Sequence, residues 1–422
     1  MVDFALSPNE ARARDAARAF AKEHLSKAKA IYSKLESHAD RFQAMRPVYE
    51  AAVRSGLIKA QIPAPLGGTC ESFVEMALLV EECYAVDPTA SLTVFGTGLG
   101  LAPLLNSNPG AFKEFLEPFL AGEGAPLASL VFSEPGGVAN WLEPGAPGLR
   151  TTVERDGDEY VISGEKLWAT NSAGWDFKGP DLACVVCRHP GAQADPPESA
   201  IAVVLVTRAD VERNPHGSFE VLRHLHSAGH TAASGPHIRY NKLRVPAKNL
   251  LCPPGTGAQA VKASFEGSAA LVGAMATGLQ RAMFDAALEF SKGQTRGGTV
   301  PIGQHQSVAD LLIDIKMRTE TSRYLTWKAA HCLAAGPGTA DDRKELALEA
   351  KIYCSDAAVK SAIDAINLVG VSAYDTSLPF SGYLNDAMVL PIFDGGNVGI
   401  RRRDLQKLLM RDEYASWSTS VQ

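Results

Sequence analysis

The feature that most constrains the fold is the order in which hydrophobic periodicity changes along the chain. Helical spacing over the first ~120 residues gives way to strand-like alternation near Leu127. Helices, then strands, then helices again predict an α+β fold with a β domain between two helical ones. We expect an N-terminal helical domain at 1–124, a β-barrel or sheet domain at 125–255 and a C-terminal helical bundle at 256–422. In the last of these, apolar residues recur every three or four positions: Leu271, Met275, Leu279, Met283, Ala287 and Phe290.

Local signals place several elements within this order. Residues 7–10, Ser-Pro-Asn-Glu, predict a capped helix start, and helical spacing is again clear between 75 and 85. An Asp156-Gly157 turn between two alternating segments predicts a hairpin. The segments DLACVVC, IAVVLV and HIRYNKLRV are typical of strands. Further helices are expected to begin at Phe265, near Val308 and near Asn397.

Composition excludes several classes of protein. With 46% hydrophobic and 21% charged residues, the chain is typical of a globular protein with a large core rather than a disordered one. The net charge of -6 gives no field that would attract nucleic acid or an anionic membrane, so we expect neither as a partner. The sequence has no run of about 18 unbroken apolar residues, so no membrane span is predicted. The N-terminal sequence does not resemble a targeting peptide, and Ser-Val-Gln is not the peroxisomal tripeptide, so a cytoplasmic location is expected.

Three local patterns suggest sites that we interpret as structural. The seven cysteines are an odd number in a long chain and predict free thiols. Cys184 and Cys187 form a C-x-x-C inside an apparent buried strand, where residues three apart point to opposite faces and cannot share a metal. Gly96-x-Gly98-x-Gly100 lacks the spacing and the preceding strand of a dinucleotide site, which favours helix packing. The histidines lack a metal-ligand spacing, so no metal is expected at 224, 226, 230 and 237.

Six short motifs, in order along nearly the whole chain, resemble those of the acyl-CoA dehydrogenase superfamily. Each is weak alone, and their order carries the resemblance. The motifs are Pro65-Leu66-Gly67-Gly68, Ser133-Glu134-Pro135, Trp168-Ala169-Thr170-Asn171, Arg296-Gly297, His305-Gln306 and Asn385-Asp386-Ala387.

The resemblance implies FAD as the cofactor and a homotetramer in which subunits share FAD sites. It implies that Trp168 stacks near the flavin, that the Thr170 hydroxyl approaches its N5, and that Arg296 binds the phosphates of a neighbour's FAD. Core packing of Trp168 and Phe132, and a capping role for Thr170, stay open as alternatives. The full set of expected cofactor residues is Val131, Phe132, Ser133, Ala139, Trp168, Ala169, Thr170, Arg296, His305, Gln306, Asn367, Gly370, Gly395 and Asn397.

The family's catalytic carboxylate is usually a Glu in a Y-E-G-T segment near the C-terminus. Here the matching stretch is Phe393-Asp394-Gly395-Gly396-Asn397, so the expected base is Asp394, one methylene shorter. The alternative is an N-cap or helix-dipole role for Asp394 before the helix expected near Asn397. Arg401 either bonds Asp394, stabilises charge on the substrate, or is an exposed cation in the run Arg401-Arg402-Arg403.

A second departure from the family lies at 265–269, where F-D-K-T-R is replaced by Phe-Glu-Gly-Ser-Ala. Ala269 replaces the family arginine, and Ser268 occupies the position where some members carry their base. Because serine cannot act as that base, Ser268 is expected to donate a hydrogen bond to the substrate or to Asp394.

Together these residues resemble the branch of the superfamily that oxidises nitroalkanes. That resemblance implies a small nitroalkane and O2 as substrates, with an aldehyde or ketone, nitrite and H2O2 as products. The catalytic set would be Asp394, Arg401 and Ser268. The alternatives are an acyl-CoA dehydrogenase with an Asp base, and a flavin-binding homologue that has lost catalysis and acts as an interaction protein.

Overall fold

The computed structural model describes residues 4–191 and 196–419. The N-terminal part is helical and ends before the first strand. Its helices are α1 Pro8–Phe20, α2 Ser26–Tyr32, α3 His38–Ala44, α4 Arg46–Arg54, α5 Phe73–Tyr84, α6 Pro88–Leu105 and α7 Glu117–Leu120.

The start of α1 confirms the predicted cap. The Ser7 hydroxyl accepts a hydrogen bond from the Glu10 N–H, and the Glu10 carboxylate accepts one from the Ser7 N–H at 2.8 Å. Two N–H groups that the first helical turn leaves unpaired are thus satisfied reciprocally.

The glycines of α6 confirm that this stretch is a packing helix. A Cβ at Gly96 would lie 2.6 Å from Cγ2 of Thr170, and one at Gly100 would lie 2.3 Å from the backbone of Ala128. Glycine therefore lets α6 approach the β domain more closely than any other residue would. By length and composition α6 could also cross a membrane, but 72% of that window is buried inside the protein, as in the core helix of a globular fold.

The middle part is one eight-stranded sheet in the order β6-β7-β3-β2-β4-β5-β8, with β1 paired in parallel to β4. The hairpin predicted at Asp156-Gly157 joins β2 to β3. The three predicted strands are also confirmed, whereas β1, β6 and β8 were missed because they are short. A helix, α8, follows β5 at Arg208–Arg213. The strands are β1 Ala128–Val131, β2 Thr152–Asp156, β3 Glu159–Leu167, β4 Leu182–Arg188, β5 Ile201–Thr207, β6 Phe219–Arg223, β7 His237–Pro246 and β8 Leu250–Cys252.

The two cysteines of β4 lie on opposite faces, as predicted. Cys184 packs in the large core shared with the N-terminal helices, and Cys187 packs in the separate core on the other face of the sheet. Both are completely buried, and all seven cysteines are free.

The C-terminal part is a helical bundle, with α9 Gly257–Gly293, α10 Gln306–Ala335, α11 Ala340–Val369, α12 Phe380–Ala387 and α13 Arg402–Leu409. The helix that we expected to begin at Phe265 begins eight residues earlier, so 265–269 lie inside α9. Gln280 of α9 joins the bundle at its centre, since its amide donates to Ser322 of α10 at 3.0 Å and accepts from Ser361 of α11 at 3.3 Å.

The apolar clusters on either side of Gln280 give the helix directions. Near one end Ala269 packs with Ala329 and Ala347, and near the other Ala287 packs with Leu312 and Ala365. Thus α9 and α11 run the same way and α10 runs against them.

Candidate active site

Asp394 lies in a tight turn between α12 and a wide helical turn at Asn397–Arg401 that continues into α13. Its φ is +52°, followed by +81° at Gly395. A side chain at Gly395 would be strained at this φ, and its Cβ would lie 2.7 Å from Nε of Arg401. Among residues other than glycine, aspartate is one of the few that adopt a left-handed backbone readily, and three contacts hold this turn in place.

The first of these contacts comes from α9. The Ser268 hydroxyl donates a hydrogen bond to the Asp394 carboxylate across 126 residues of sequence. Ser268 is buried, and its neighbour Ala269 is completely buried among small side chains of the bundle. Of the two partners expected for Ser268, the structure shows Asp394.

The second contact comes from Arg401, which is only 5% exposed. Its Nε donates to the Asp394 carbonyl oxygen at 2.8 Å, and Nη2 donates to the Phe265 carbonyl oxygen at 3.3 Å. Burial lowers the pKa of Arg401, against the nearby charges of Asp394 and Asp404. The interpretation of this residue as an exposed cation is therefore wrong, because the wide turn directs it inward.

The third contact, between Lys351 and Asn397, was not predicted from the sequence. The fully buried Lys351 of α11 donates from Nζ to Oδ1 of Asn397 at 2.6 Å. The Asn397 amide in turn donates to Asp356 at 2.8 Å and to Ser355 at 3.0 Å. The amide oxygen and nitrogen of Asn397 are thus both bonded to side chains of α11. A contact between Asn397 and a cofactor would therefore be made by its backbone. The residue that caps the helical turn is Gly396, so the N-cap interpretation of Asp394 is wrong.

The β domain contacts α9 near the Asp394 turn through Phe132, the residue that follows β1. Its ring contacts Trp141 with centroids 4.9 Å apart and Phe265 with centroids 5.6 Å apart. Phe132 therefore packs against the helix that carries Ser268, which agrees with its alternative as a packing residue. Together, Phe132 and Phe265 connect the sheet to the Asp394 turn.

A buried ion pair fixes the loop after β1. The Lys166 ammonium donates to the Glu134 carboxylate at 2.9 Å, and also to the carbonyl oxygens of Phe132 and Val186 at 2.9 and 2.7 Å. Burial would raise the pKa of Glu134, but Lys166 and two backbone N–H donors outweigh it and lower that pKa. Glu134 is therefore a structural residue that sets the position of Phe132 and Ser133.

Trp168 and Thr170 follow β3 on the same edge. The Leu167 N–H donates to the Ser133 carbonyl oxygen at 2.9 Å, which holds the two loops together. Trp168 has φ +67° and is 59% exposed, so its interpretation as a core residue is wrong. The Asn171 amide anchors the loop by donating to the Thr93 carbonyl oxygen at 3.0 Å.

Arg403 of α13 ties the loop after Ser133 to the helix that follows the Asp394 turn. Its guanidinium donates to the carbonyl oxygen of Ala139 at 2.6 Å and to Asn140 at 2.8 Å. Of the expected cofactor residues, Phe132 therefore contacts α9 beside Ser268, and Ala139 is bonded to the helix that follows the Asp394 turn.

Comparisons with known proteins agree with this arrangement. Residues 7–123 match the family model "Acyl-CoA dehydrogenase, N-terminal domain", and residues 255–410 match "Acyl-CoA dehydrogenase, C-terminal domain". The chain belongs to the acyl-CoA dehydrogenase family. It is 56% identical to a nitroalkane oxidase from Podospora anserina over 99% of this chain and 98% of that protein. It is 50% identical to one from Fusarium oxysporum over 100% of this chain and 98% of that protein.

Solved structures of this family superimpose closely. The Podospora anserina nitroalkane oxidase matches with a TM-score of 0.97 and covers 100% of both chains. Butyryl-CoA dehydrogenase from Megasphaera elsdenii matches with a TM-score of 0.81 over 97% of this chain and 100% of that one. That enzyme is only 22% identical, so the likeness shows the shared fold.

Acyl-CoA dehydrogenases and nitroalkane oxidases are flavoproteins, and two features beside the Asp394 turn are compatible with a bound flavin. A left-handed backbone holds the large Trp168 ring outward beside Thr170, which leaves an apolar face for a planar ligand. Gly136 and Gly137 both have positive φ, and a Cβ on either would meet nothing within 4 Å, so the backbone of that loop is open to a ligand.

Arg296 belongs to a different part of the acyl-CoA dehydrogenase fold. It donates to the Ser372 hydroxyl at 3.0 Å and to the Val369 carbonyl oxygen, at the end of α11 that carries the expected residues Asn367 and Gly370. Lys351 and Val369 are eighteen residues apart on α11, about 27 Å at 1.5 Å per residue. Within one chain, Arg296 and the end of α11 that it contacts therefore lie far from Asp394.

The other motif residues make local contacts within the chain. His305 takes the N-cap position of α10, and the Gln306 amide donates to Asp310 at 2.7 Å. Asp386 accepts a hydrogen bond from the His230 N–H at 2.7 Å. His237 pairs with Glu165 at 2.8 Å, and no group suited to a metal occurs among residues 4–191 and 196–419.

Proposed function

We propose that this protein is an FAD-dependent oxidase of nitroalkanes, with Asp394 as the base. The products would be an aldehyde or ketone, nitrite and H2O2. The observation that carries the proposal is the hydrogen bond from Ser268 to the Asp394 carboxylate beside the buried Arg401.

The spacing of these three residues supports their assignment. Solved nitroalkane oxidases that are 48–49% identical single out a serine, an aspartate and an arginine as residues of interest. Those three are separated by 126 and 7 residues, the same separations as Ser268, Asp394 and Arg401. The aspartate variant of that enzyme was crystallised with 1-nitrooctane and the serine variant with 1-nitrohexane.

The first step is the removal of a proton from the carbon that bears the nitro group. The nitro group makes that carbon acidic, so an ionised Asp394 can take the proton and leave a nitronate. The Ser268 hydroxyl fixes one carboxylate oxygen and leaves the other for the substrate. Bound FAD would accept two electrons from the substrate and pass them to O2, while water supplies the carbonyl oxygen of the product and nitrite leaves.

Arg401 has two roles in this scheme. Its bonds to the carbonyl oxygens of Asp394 and Phe265 hold the turn against α9. Its buried positive charge also favours negative charge on Asp394 and on the developing nitronate. The aromatic pair Phe132 and Phe265 keeps water from one side of this charge.

We also propose a homotetramer in which Arg296, Asn367 and Gly370 contact the FAD of a neighbouring subunit. The 27 Å estimate along α11 separates them from their own Asp394. Val371 and Tyr374, beside this group, are 87% and 90% exposed, which is typical of an apolar patch that a partner covers.

Product analysis tests the proposal. Purified protein with bound flavin is given nitroethane in air, and nitrite, H2O2 and acetaldehyde are measured. We expect the three products in equal amounts. Reduction of an artificial electron acceptor with butyryl-CoA, without turnover of nitroethane, would instead establish an acyl-CoA dehydrogenase and overturn the proposal. Flavin binding without either activity would identify a non-catalytic homologue.

A further inference from the structure

The buried ammonium of Lys351 lies beneath the Asp394 turn without an ion-pair partner. Lys166 and Lys351 are both 0% exposed. Lys166 forms a 2.9 Å ion pair with Glu134, whereas no carboxylate among the described residues lies within 4.0 Å of Lys351. Burial of a charge without a paired partner is costly, and it lowers the pKa of Lys351 to about 8. Such a residue calls for an explanation beyond packing.

The hydrogen bond that Lys351 makes holds the turn that carries Asp394. Oδ1 of Asn397 accepts from Nζ at 2.6 Å, and the Asn397 N–H donates to the Pro391 carbonyl oxygen at 2.8 Å. Asn397 therefore closes the turn from 391 to 397, in the middle of which Asp394 has its left-handed backbone. The ammonium is the only charged group that donates to Asn397 within the described part of the chain.

The charges around Lys351 identify its electrostatic partner. The negative charge of Asp394 is the largest of the influences that favour its charged form, ahead of Asp356, and Arg401 opposes them. Asp356 comes from α11 itself, Asp394 from the turn, and Arg401 from the wide helical turn that precedes α13. The further titratable groups that face this cluster are Glu266 from α9, Asp404 from α13 and Tyr84 from α5.

We propose that Lys351 is a positioning residue for the proposed base: through Asn397 it holds the Asp394 turn, and its charge favours the ionised Asp394 carboxylate. This inference rests on the proposed function. When Asp394 takes a proton, Lys351 loses the negative charge that most favours its ammonium form, so the buried ammonium favours release of that proton and return of the base.

The test compares Lys351→Met with Lys360→Met, an exposed lysine nine residues further along α11 that pairs with Asp364 at 3.3 Å. The pH dependence of kcat/KM is measured with nitroethane and with preformed ethyl nitronate. In Lys351→Met we expect the acid limb for nitroethane to move up by about one pH unit, so that kcat/KM falls about tenfold at pH values below the limb. Ethyl nitronate needs no base, so its profile should not move. Lys360→Met should match the unaltered protein.

Hydrogen–deuterium exchange of residues 391–401 gives a readout that does not depend on activity. Exchange should rise in Lys351→Met and stay unchanged in Lys360→Met. Should Lys351→Met not fold, Asn397→Leu keeps the ammonium and removes the link, and it should raise exchange in the same segment.

The outcomes separate this inference from the proposed function. A protein without nitroethane turnover contradicts the proposed function, while the exchange experiment still tests the link. Unchanged exchange together with an unmoved acid limb overturns the proposal. Faster exchange with an unmoved acid limb overturns it too, because Lys351 would then only stabilise the fold.

Discussion

The two ends of the C-terminal bundle differ in how complete they are within one chain. At the end that holds Ser268 and Lys351, the polar side chains are buried and bonded to one another or to the Asp394 turn. At the end that holds Arg296, apolar side chains such as Tyr374 are left in solvent. The first end is closed within one chain, and the second is the surface that the proposed tetramer would cover. The same three helices build both, so the side chains at each end make the difference.

Of the variants considered, Asp394→Asn should have the largest effect on kcat/KM for nitroethane, because it removes the proposed base. A general base contributes about 10²- to 10⁴-fold, so kcat/KM for nitroethane should fall by that range while flavin stays bound. Ethyl nitronate should still be oxidised at close to the original rate. The exposed Asp412→Asn is the control. Equal losses with both substrates would make Asp394 a structural residue.

Arg401→Lys tests whether the planar guanidinium of Arg401 is required, or only its positive charge. Lysine has one donor atom on a flexible stem and lacks the planar fork that aims Nε at Asp394 and Nη2 at Phe265, and hydrogen bonds to charged groups contribute about 1.5–3 kcal/mol. We expect kcat/KM for nitroethane to fall about 10- to 100-fold. Arg402→Lys, on the exposed face, provides the comparison. Unchanged rates in Arg401→Lys would show that its charge alone suffices.

Arg296→Ala should weaken the binding of FAD without affecting the proposed base Asp394. We expect about tenfold weaker retention of FAD, measured as flavin per chain after dilution, because one phosphate clamp is lost. With FAD in excess, the pH profile for nitroethane should match that of the unaltered protein. A shifted profile would mean that Arg296 acts at the Asp394 site, contrary to the separation along α11.

Ser268→Ala should have the smallest effect. Ser268 makes a single hydrogen bond to a charged carboxylate, which contributes about 1.5 kcal/mol at the low end of such bonds and corresponds to a loss of about tenfold in kcat/KM for nitroethane. The Asp394 turn keeps its bonds from Arg401 and Asn397, so thermal stability should change little. Ser355→Ala, behind Asn397, serves as a matched buried serine. A loss as large as that of Asp394→Asn would instead place Ser268 in proton transfer.

The order of elements and the residues nearest the proposed chemistry were accessible from sequence. Periodicity predicted the helix–strand–helix order, and the motifs indicated Asp394, Ser268 and Arg401, which the structure brings together. The short strand β1 was missed because four residues carry too little alternation.

Burial in the tertiary fold explains the remaining differences. Arg401 stands in a run of three arginines that is typical of an exposed helix, and the wide turn that directs it inward has no local pattern. Lys351 lies 46 residues from Asn397, so a lone lysine within a helical segment gave no reason to expect a buried charge. For Trp168 only the alternative of core packing was wrong, since a left-handed backbone holds the ring outward.

The uninterrupted α11 has a consequence for mixed assemblies. One end of this helix lies at its own subunit's base, and the other carries the residues proposed to hold a neighbour's cofactor. A subunit with Asp394→Asn could therefore still lend its Arg296 to a neighbour, and a subunit with Arg296→Ala could still use its own Asp394. Two such variants, each impaired when assembled alone, would complement one another after their subunits are mixed.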